Sequence, residues 1–180
     1  CGSDEVLLLL AKVNVEKGLF GAPLEARLLM LEALAESRPG FSVAAVNRAR
    51  FVDKAEALKP LYPADTDLRF IVGYDTLIRL FDPRFYGDLP AELARMFGSC
   101  RFLAANRAEH DPGAVRRLLE GPEVRAFQDR IEVMELDPRH AAMSSSAVRQ
   151  RLRRGEAVGD LVPEAVEGMI GRLGLYRNPT

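Results

Sequence analysis

The sequence contains no tryptophan, only two cysteines and only two histidines in 180 residues. Without tryptophan, any stacking contact with a flat ring falls to a smaller side chain. Cys1 and Cys100 cannot build a disulfide framework, so a reducing, cytoplasmic compartment is expected. His110 and His140, with no paired cysteines, give no zinc-ligand spacing, and no protein-borne metal site is expected. Neither sign of charge dominates: 25 Lys and Arg stand against 26 Asp and Glu, a formal net charge of -1. That balance removes any bulk attraction to nucleic acid or to an acidic membrane, so an anion site has to be local. The longest apolar run, "VLLLLA", is far too short to cross a bilayer. Also absent are a G-x-x-x-x-G-K-[ST] loop, a G-x-G-x-x-G fingerprint, an H-E-x-x-H helix and a G-x-S-x-G elbow, which disfavours dinucleotide redox chemistry and P-loop hydrolysis.

What is present supports a substantial core: 48% of residues are hydrophobic and 28% charged, as in an ordered domain rather than a disordered segment. Strands are expected at 5–13, 41–46, 68–73, 100–105 and 130–136. Between them, helices are expected from Pro23 onward, with Leu24, Leu28, Leu31 and Ala35 on an amphipathic stripe, and over 53–61, from about Asp75, 90–97 and 112–120. A serine-opened helix and a final helix carrying Val166, Ile170 and Leu173 follow. Strands apolar on both faces, alternating with helices, predict an α/β fold: a Rossmann-like parallel sheet with helices on both faces, in a single domain over 1–180. In such folds ligands bind beyond the carboxyl ends of the strands, and the stretch 106–113 is the expected flexible loop.

"MSSSAVRQRLRRG" (143–155) concentrates the most chemistry. If Ser144 or Ser145 caps the helix, the other hydroxyls, the first-turn amides and the positive end of the dipole suit a phosphate. Arg149 can fold back onto the same anion, while Val148 and Leu152 face the core and turn the arginines outward. The alternative is an ordinary capped helix with a solvated basic face. "FIVGYDT" ends a strand at Gly73, which permits close backbone approach, with Asp75 able to accept hydrogen bonds from ribose hydroxyls or simply to cap the next helix. Lys17, between two glycines, either reaches a triphosphate or is a surface lysine. Tyr86 is either a stacking ring or part of the core.

Taken in order, these pieces resemble the nicotinamide/nicotinate mononucleotide adenylyltransferases of the nucleotidylyltransferase superfamily. "MSSSAVR" is similar to that family's I-S-S-T-x-I-R motif, with Ser146 in the threonine position and Arg149 as the arginine. "FIVGYDTLIRLFDPRFY" resembles its G-x-D segment, which runs on to an aromatic position, here Tyr86 in place of the usual tryptophan. "VNVEKGLFGAPLEARLLML" resembles its lysine loop and arginine helix, placing Lys17 and Arg27. "RFLAANR" fits a strand ending in an arginine, Arg107, and "LVPEAVEGMIGRLGLY" fits the tail. The "GYDTLIRLFDPRFY" stretch looks nearest to a divergent branch known from fungi.

The resemblance implies adenylyl transfer from ATP, with magnesium, to nicotinamide or nicotinate mononucleotide. Ser144, Ser145, Ser146 and Arg149 would hold the β- and γ-phosphates, and Gly73 and Asp75 would meet the adenosine. Lys17 would neutralise charge during attack, and Lys17, Arg27, Tyr86 and Arg107 would serve the mononucleotide. Neither nucleic acid nor membrane is an expected partner, and self-association into a homo-oligomer stays open. The family's first motif, G-x-F-x-P-x-H-x-G-H or its T-x-x-H variant, does not occur. "CGS" (1–3) looks like its opening, and the expectation is that the motif and its strand belong to a segment outside this sequence. Two other readings remain open: a related transferase with another phosphate acceptor, and a nucleotide-binding protein of this fold without catalysis.

Overall fold

In the computed structural model, residues 2–12, 21–105 and 112–177 are described. In chain order the elements are strand β1 (Val6–Ala11), helix α1 (Leu24–Glu36), β2 (Phe41–Val46), α2 (Phe51–Leu58), β3 (Arg69–Gly73), α3 (Tyr74–Leu80), α4 (Leu89–Ser99) and β4 (Arg101–Ala105). They continue with α5 (Pro112–Leu119), the short α6 (Pro122–Arg125), β5 (Ile131–Met134), the short α7 (Pro138–Ala141), α8 (Ser145–Arg153) and α9 (Glu164–Leu173). The chain divides into two compact units, residues 1–49 with 143–180, and residues 50–142. Parallel strands flanked by helices make up both, which is the α/β architecture expected. Among the described residues no helix is long and apolar enough to cross a membrane.

In the first unit β1 and β2 pair parallel, in register from Val6 opposite Phe41 to Ala11 opposite Val46. Gly40, at φ 79°, makes the turn into β2, and its carbonyl accepts the Val6 N–H at 2.8 Å. Helix α1 packs on both strands and on α9. It shows the expected stripe: Leu24, Leu28, Leu31 and Ala35 are half-buried while Glu25, Leu29, Glu32 and Glu36 are exposed, although Ala26 alone among its residues is fully buried. The strands depart from expectation, since of β1 and β2 only Leu10 is buried and most other positions are half-buried.

The second unit orders its strands β3-β4-β5, all parallel. Central β4 buries Phe102 through Ala105, the continuous apolar pattern of a strand covered on both faces. At the end of the sheet β3 alternates instead, and Ile71 is 63% exposed. Phenylalanines carry the core. Phe97 stacks on Phe127 at 4.6 Å and on Phe81 at 5.8 Å, and meets the edge of Phe102 at 5.5 Å. Phe102 continues the cluster to Phe51 and Phe70 at 5.4 and 5.9 Å. Cys100 lies in the same core, where burial pushes its thiol up to about 12, so it is a packing residue rather than a nucleophile.

Aspartates punctuate this unit. Asp88 caps α4 by accepting the Ala91 N–H at 3.1 Å. Asp82 and Asp137 accept from Arg84 N and Arg139 N at 3.0 and 2.8 Å, each just before a proline that starts a helical turn. Replacing Phe97 by Ala should remove about 3–5 kcal/mol of stability, read as a lowered urea midpoint of the intact protein.

Candidate functional site

The serine run resolves into distinct jobs. Ser144 is extended at φ -143°, ψ 146° and is the N-cap of α8, its Oγ accepting the Ala147 N–H at 3.2 Å. Its carbonyl takes the Val148 N–H at 3.2 Å, closing the first turn. Ser146, the second residue of α8, is not left free: the Arg149 guanidinium folds back and donates from Nη2 to its Oγ at 3.2 Å. The helix mouth therefore combines first-turn amides, serine hydroxyls and one guanidinium, a donor-rich edge to which an anion is suited.

That edge opens on a cavity of about 300 Å³ within the first unit. Ser144, Ser145 and Arg149 contribute its polar side, and Met30, Val148, Val162, Ile170 and Tyr176 part of its apolar wall. Tyr176 is carried there by a sharp exit from α9. Gly174 takes the left-handed conformation at φ 62°, Leu175 N bonds Ile170 O at 3.1 Å, and Tyr176 itself is held at φ 64°. Gly21, at φ 104°, brings its backbone against the same group. A Cβ there would sit 3.4 Å from Tyr176 Cε1 and 3.9 Å from Arg149 Cδ.

The remaining arginines of α8 do not share the mouth. Arg151 Nη1 pairs with Asp160 Oδ1 at 2.6 Å and reaches the Ala157 carbonyl at 3.4 Å. Arg154 lies 3.9 Å from Glu156, and Arg153 is exposed. Val148 and Leu152 were expected to face the core, but both are only half-buried, and α8 has no buried residue.

Arg27 lies in the second turn of α1, half-buried and one turn before Met30, and does not line the cavity. In the second unit Gly73 ends β3 and is the N-cap of α3, with ordinary φ and ψ of -77° and 161°. Asp75 stands in the first turn of that helix, half-buried. Tyr86 follows the Pro83–Phe85 turn and is half-buried. Burial raises its phenol above the ordinary value, helped by the Glu92 carboxylate and opposed by Arg50. Arg50 bonds Asp53 at 2.9 Å and Glu92 at 3.4 Å, while Arg95 bonds Glu56 at 2.7 Å, lacing α2 to α4. Lys17 and Arg107 lie outside the described residues, as does most of the 106–113 stretch. Among the described residues no group of three or more His, Cys, Asp or Glu side chains stands together as a metal site.

Sequence reasoning did not place Tyr176 in the site, although the closing Leu-Tyr of the tail was the available signal. It also missed the Arg151–Asp160 pair, which nine residues of separation and an intervening turn hide.

Both units are α/β with parallel strands, a class of fold shared by many enzymes, and relatives make the family specific. No protein-family model matches the chain. It is 31% identical over 165 residues to a "Probable nicotinate-nucleotide adenylyltransferase" of Dehalococcoides mccartyi, covering 86% of this chain and 73% of that protein. Identity is 30% over 181 residues to a protein of the same name from Gemmatimonas aurantiaca, covering 97% and 79%. Against the Sodalis glossinidius protein of that name it is 33% over 135 residues, covering 70% of this chain and 59% of the relative's length. The chain belongs to the nicotinate-nucleotide adenylyltransferase family, whose members are nucleotidyltransferase enzymes.

Replacing Ser144 by Ala should cost about 1 kcal/mol through loss of the cap, measured by urea unfolding. Ser145→Ala, which leaves the cap in place, should change stability by less than half of that.

Proposed function

We propose that the protein transfers the adenylyl group of ATP to the 5′-phosphate of nicotinate or nicotinamide mononucleotide, giving deamido-NAD or NAD in the cytoplasm. The observation that carries this reading is Arg149 folded back on Ser146 over the capped mouth of α8. Family membership supplies the chemistry. In this reading an oxygen of the mononucleotide phosphate attacks the α-phosphorus, the bond from that phosphorus to the bridging oxygen breaks, and pyrophosphate leaves. The hydroxyls of Ser144, Ser145 and Ser146, the first-turn amides and Arg149 hold the β- and γ-phosphates, and so stabilise the charge that grows on the leaving group.

Gly73 and Asp75, at the junction of β3 and α3, receive the adenosine, Asp75 accepting from ribose hydroxyls. Lys17, Arg27 and Arg107 serve the mononucleotide, and Lys17 also offsets charge at the reacting phosphorus. Tyr86 supplies the ring against the pyridine in place of the family's usual tryptophan, within a segment that resembles a divergent branch known from fungi. Magnesium accompanying ATP would add electrostatic stabilisation of the phosphates that Ser144, Ser145, Ser146 and Arg149 hold.

The test is pyrophosphate release from ATP with each mononucleotide. Arg149→Ala should raise the KM for ATP by at least about ten-fold, the loss of one charge-assisted hydrogen bond or more, with the fold intact by circular dichroism. Unchanged nucleotide affinity would remove Arg149 from the phosphate clamp. Tyr86→Ala should raise the KM for the mononucleotide by a comparable factor and leave that for ATP unchanged. Turnover without any mononucleotide, or only with another phosphate-bearing acceptor, would overturn the acceptor assignment.

A further inference from the structure

Helix α8 presents a physical difficulty for any precise job at its mouth. It is a nine-residue helix with no buried side chain, so core packing does not fix its rotation. Val148 and Leu152 are half-buried, and a roll about the axis would turn Ser144, Ser145 and Arg149 together away from the cavity they share with Met30, Ile170 and Tyr176. Something other than burial has to set its angle.

We infer that Arg151 and Asp160 form a positioning pair, which holds α8 at the rotation that turns Arg149 and the serines of its mouth onto the cavity. The inference rests on the adenylyl-transfer reading. Arg151 lies two residues beyond Arg149, about 200° round the helix, so the two guanidinium groups work on nearly opposite sides. One bonds Ser146 at the mouth; the other bonds Asp160 at 2.6 Å and the Ala157 carbonyl at 3.4 Å. Both partners of Arg151 belong to the turn between α8 and α9. That turn is anchored independently, since Val158 is 1% exposed, and Leu161 N and Val162 N bond its carbonyl at 2.8 and 3.1 Å. Leu161 and Val162 continue directly into the cavity wall shared with Val148 and Arg149. The pair thus ties an unburied helix to a buried point of the same unit.

The side chains of Arg151 and Asp160 are 38% and 62% exposed, so the pair contributes little to global stability. Its effect is on orientation, and misplacement of a binding group is expensive even where a broken surface ion pair is not. Charge alone makes the opposite prediction for one partner. Removing Asp160 takes a negative charge away from the neighbourhood of a polyanion, which by itself would tighten ATP binding.

The deciding experiment measures ATP affinity by calorimetry, and the two KM values by pyrophosphate release, for the wild type, Arg151→Ala, Asp160→Asn and the double variant. Both single variants should weaken ATP by about five- to ten-fold, with the mononucleotide KM and the unfolding midpoint nearly unchanged. The double variant should lose no more than either single one, and the exchanged pair, Arg151→Asp with Asp160→Arg, should recover part of the loss. If Asp160→Asn binds ATP as tightly as the wild type or more tightly, the positioning role is overturned, and any effect of Arg151 is one of net charge. A wild-type protein without affinity for ATP would instead overturn the adenylyl-transfer reading, and this inference with it.

Discussion

Both sheets pair their strands parallel, and a parallel pair can be joined only by a chain that leaves one end of a strand and returns to the other. This constraint shapes each unit. It puts α1 between β1 and β2, α3 and α4 between β3 and β4, and α5 and α6 between β4 and β5. It also gathers the strand exits of each sheet at one end. Gly73 ends β3 and caps α3 at the same time, so the exit is a single residue wide. At such an exit a helix N-terminus meets whatever lies beyond the sheet, which is why these folds handle phosphates so readily.

The two units meet this requirement with different means. Residues 50–142 use a dense aromatic core, where Phe97 and Phe102 touch rings from α2, β3 and the segments after α3 and α6. Among the described residues the first unit has fewer buried side chains, and it relies on local polar devices. Ser144 caps α8, Gly174 ends α9 in the left-handed region, and Arg151 ties α8 to the turn that follows. The arginine-rich run divides its labour accordingly: Arg149 bonds at the helix mouth, Arg151 holds the helix, Arg154 lies near Glu156, and Arg153 faces solvent. A basic stripe in the sequence is therefore not one basic patch.

Much of this was legible in advance. The strand at 41–46 agrees residue for residue with β2, and β3, β4 and the last helix begin within a residue or two of the expected positions, because apolar runs bounded by Gly, Pro or charge leave little choice of period. The serine-opened helix was equally plain, since a hydroxyl before an apolar-periodic segment satisfies orphan amides in almost any context. The stripe of α1 was legible too, since Leu24, Leu28, Leu31 and Ala35 are all half-buried. Within the four consecutive apolar residues 28–31 it is packing that leaves Leu29 exposed. Short α6 and α7 and the aspartate caps escaped notice because each is a local device a few residues long, below the scale at which periodicity speaks.

The sequence by itself determined the α/β alternation, the serine–arginine constellation and, through its motifs, the family, because these depend on order and spacing along the chain. Only the tertiary structure decided which hydroxyl caps α8, which arginine turns back to Ser146 and which one grips Asp160. It also brought Met30, Arg149 and Tyr176 round one cavity, although most of the chain separates the first from the last. Those outcomes depend on rotation about helix axes and on the meeting of distant segments. A pattern of residues along a chain leaves both free until packing and hydrogen bonding close them.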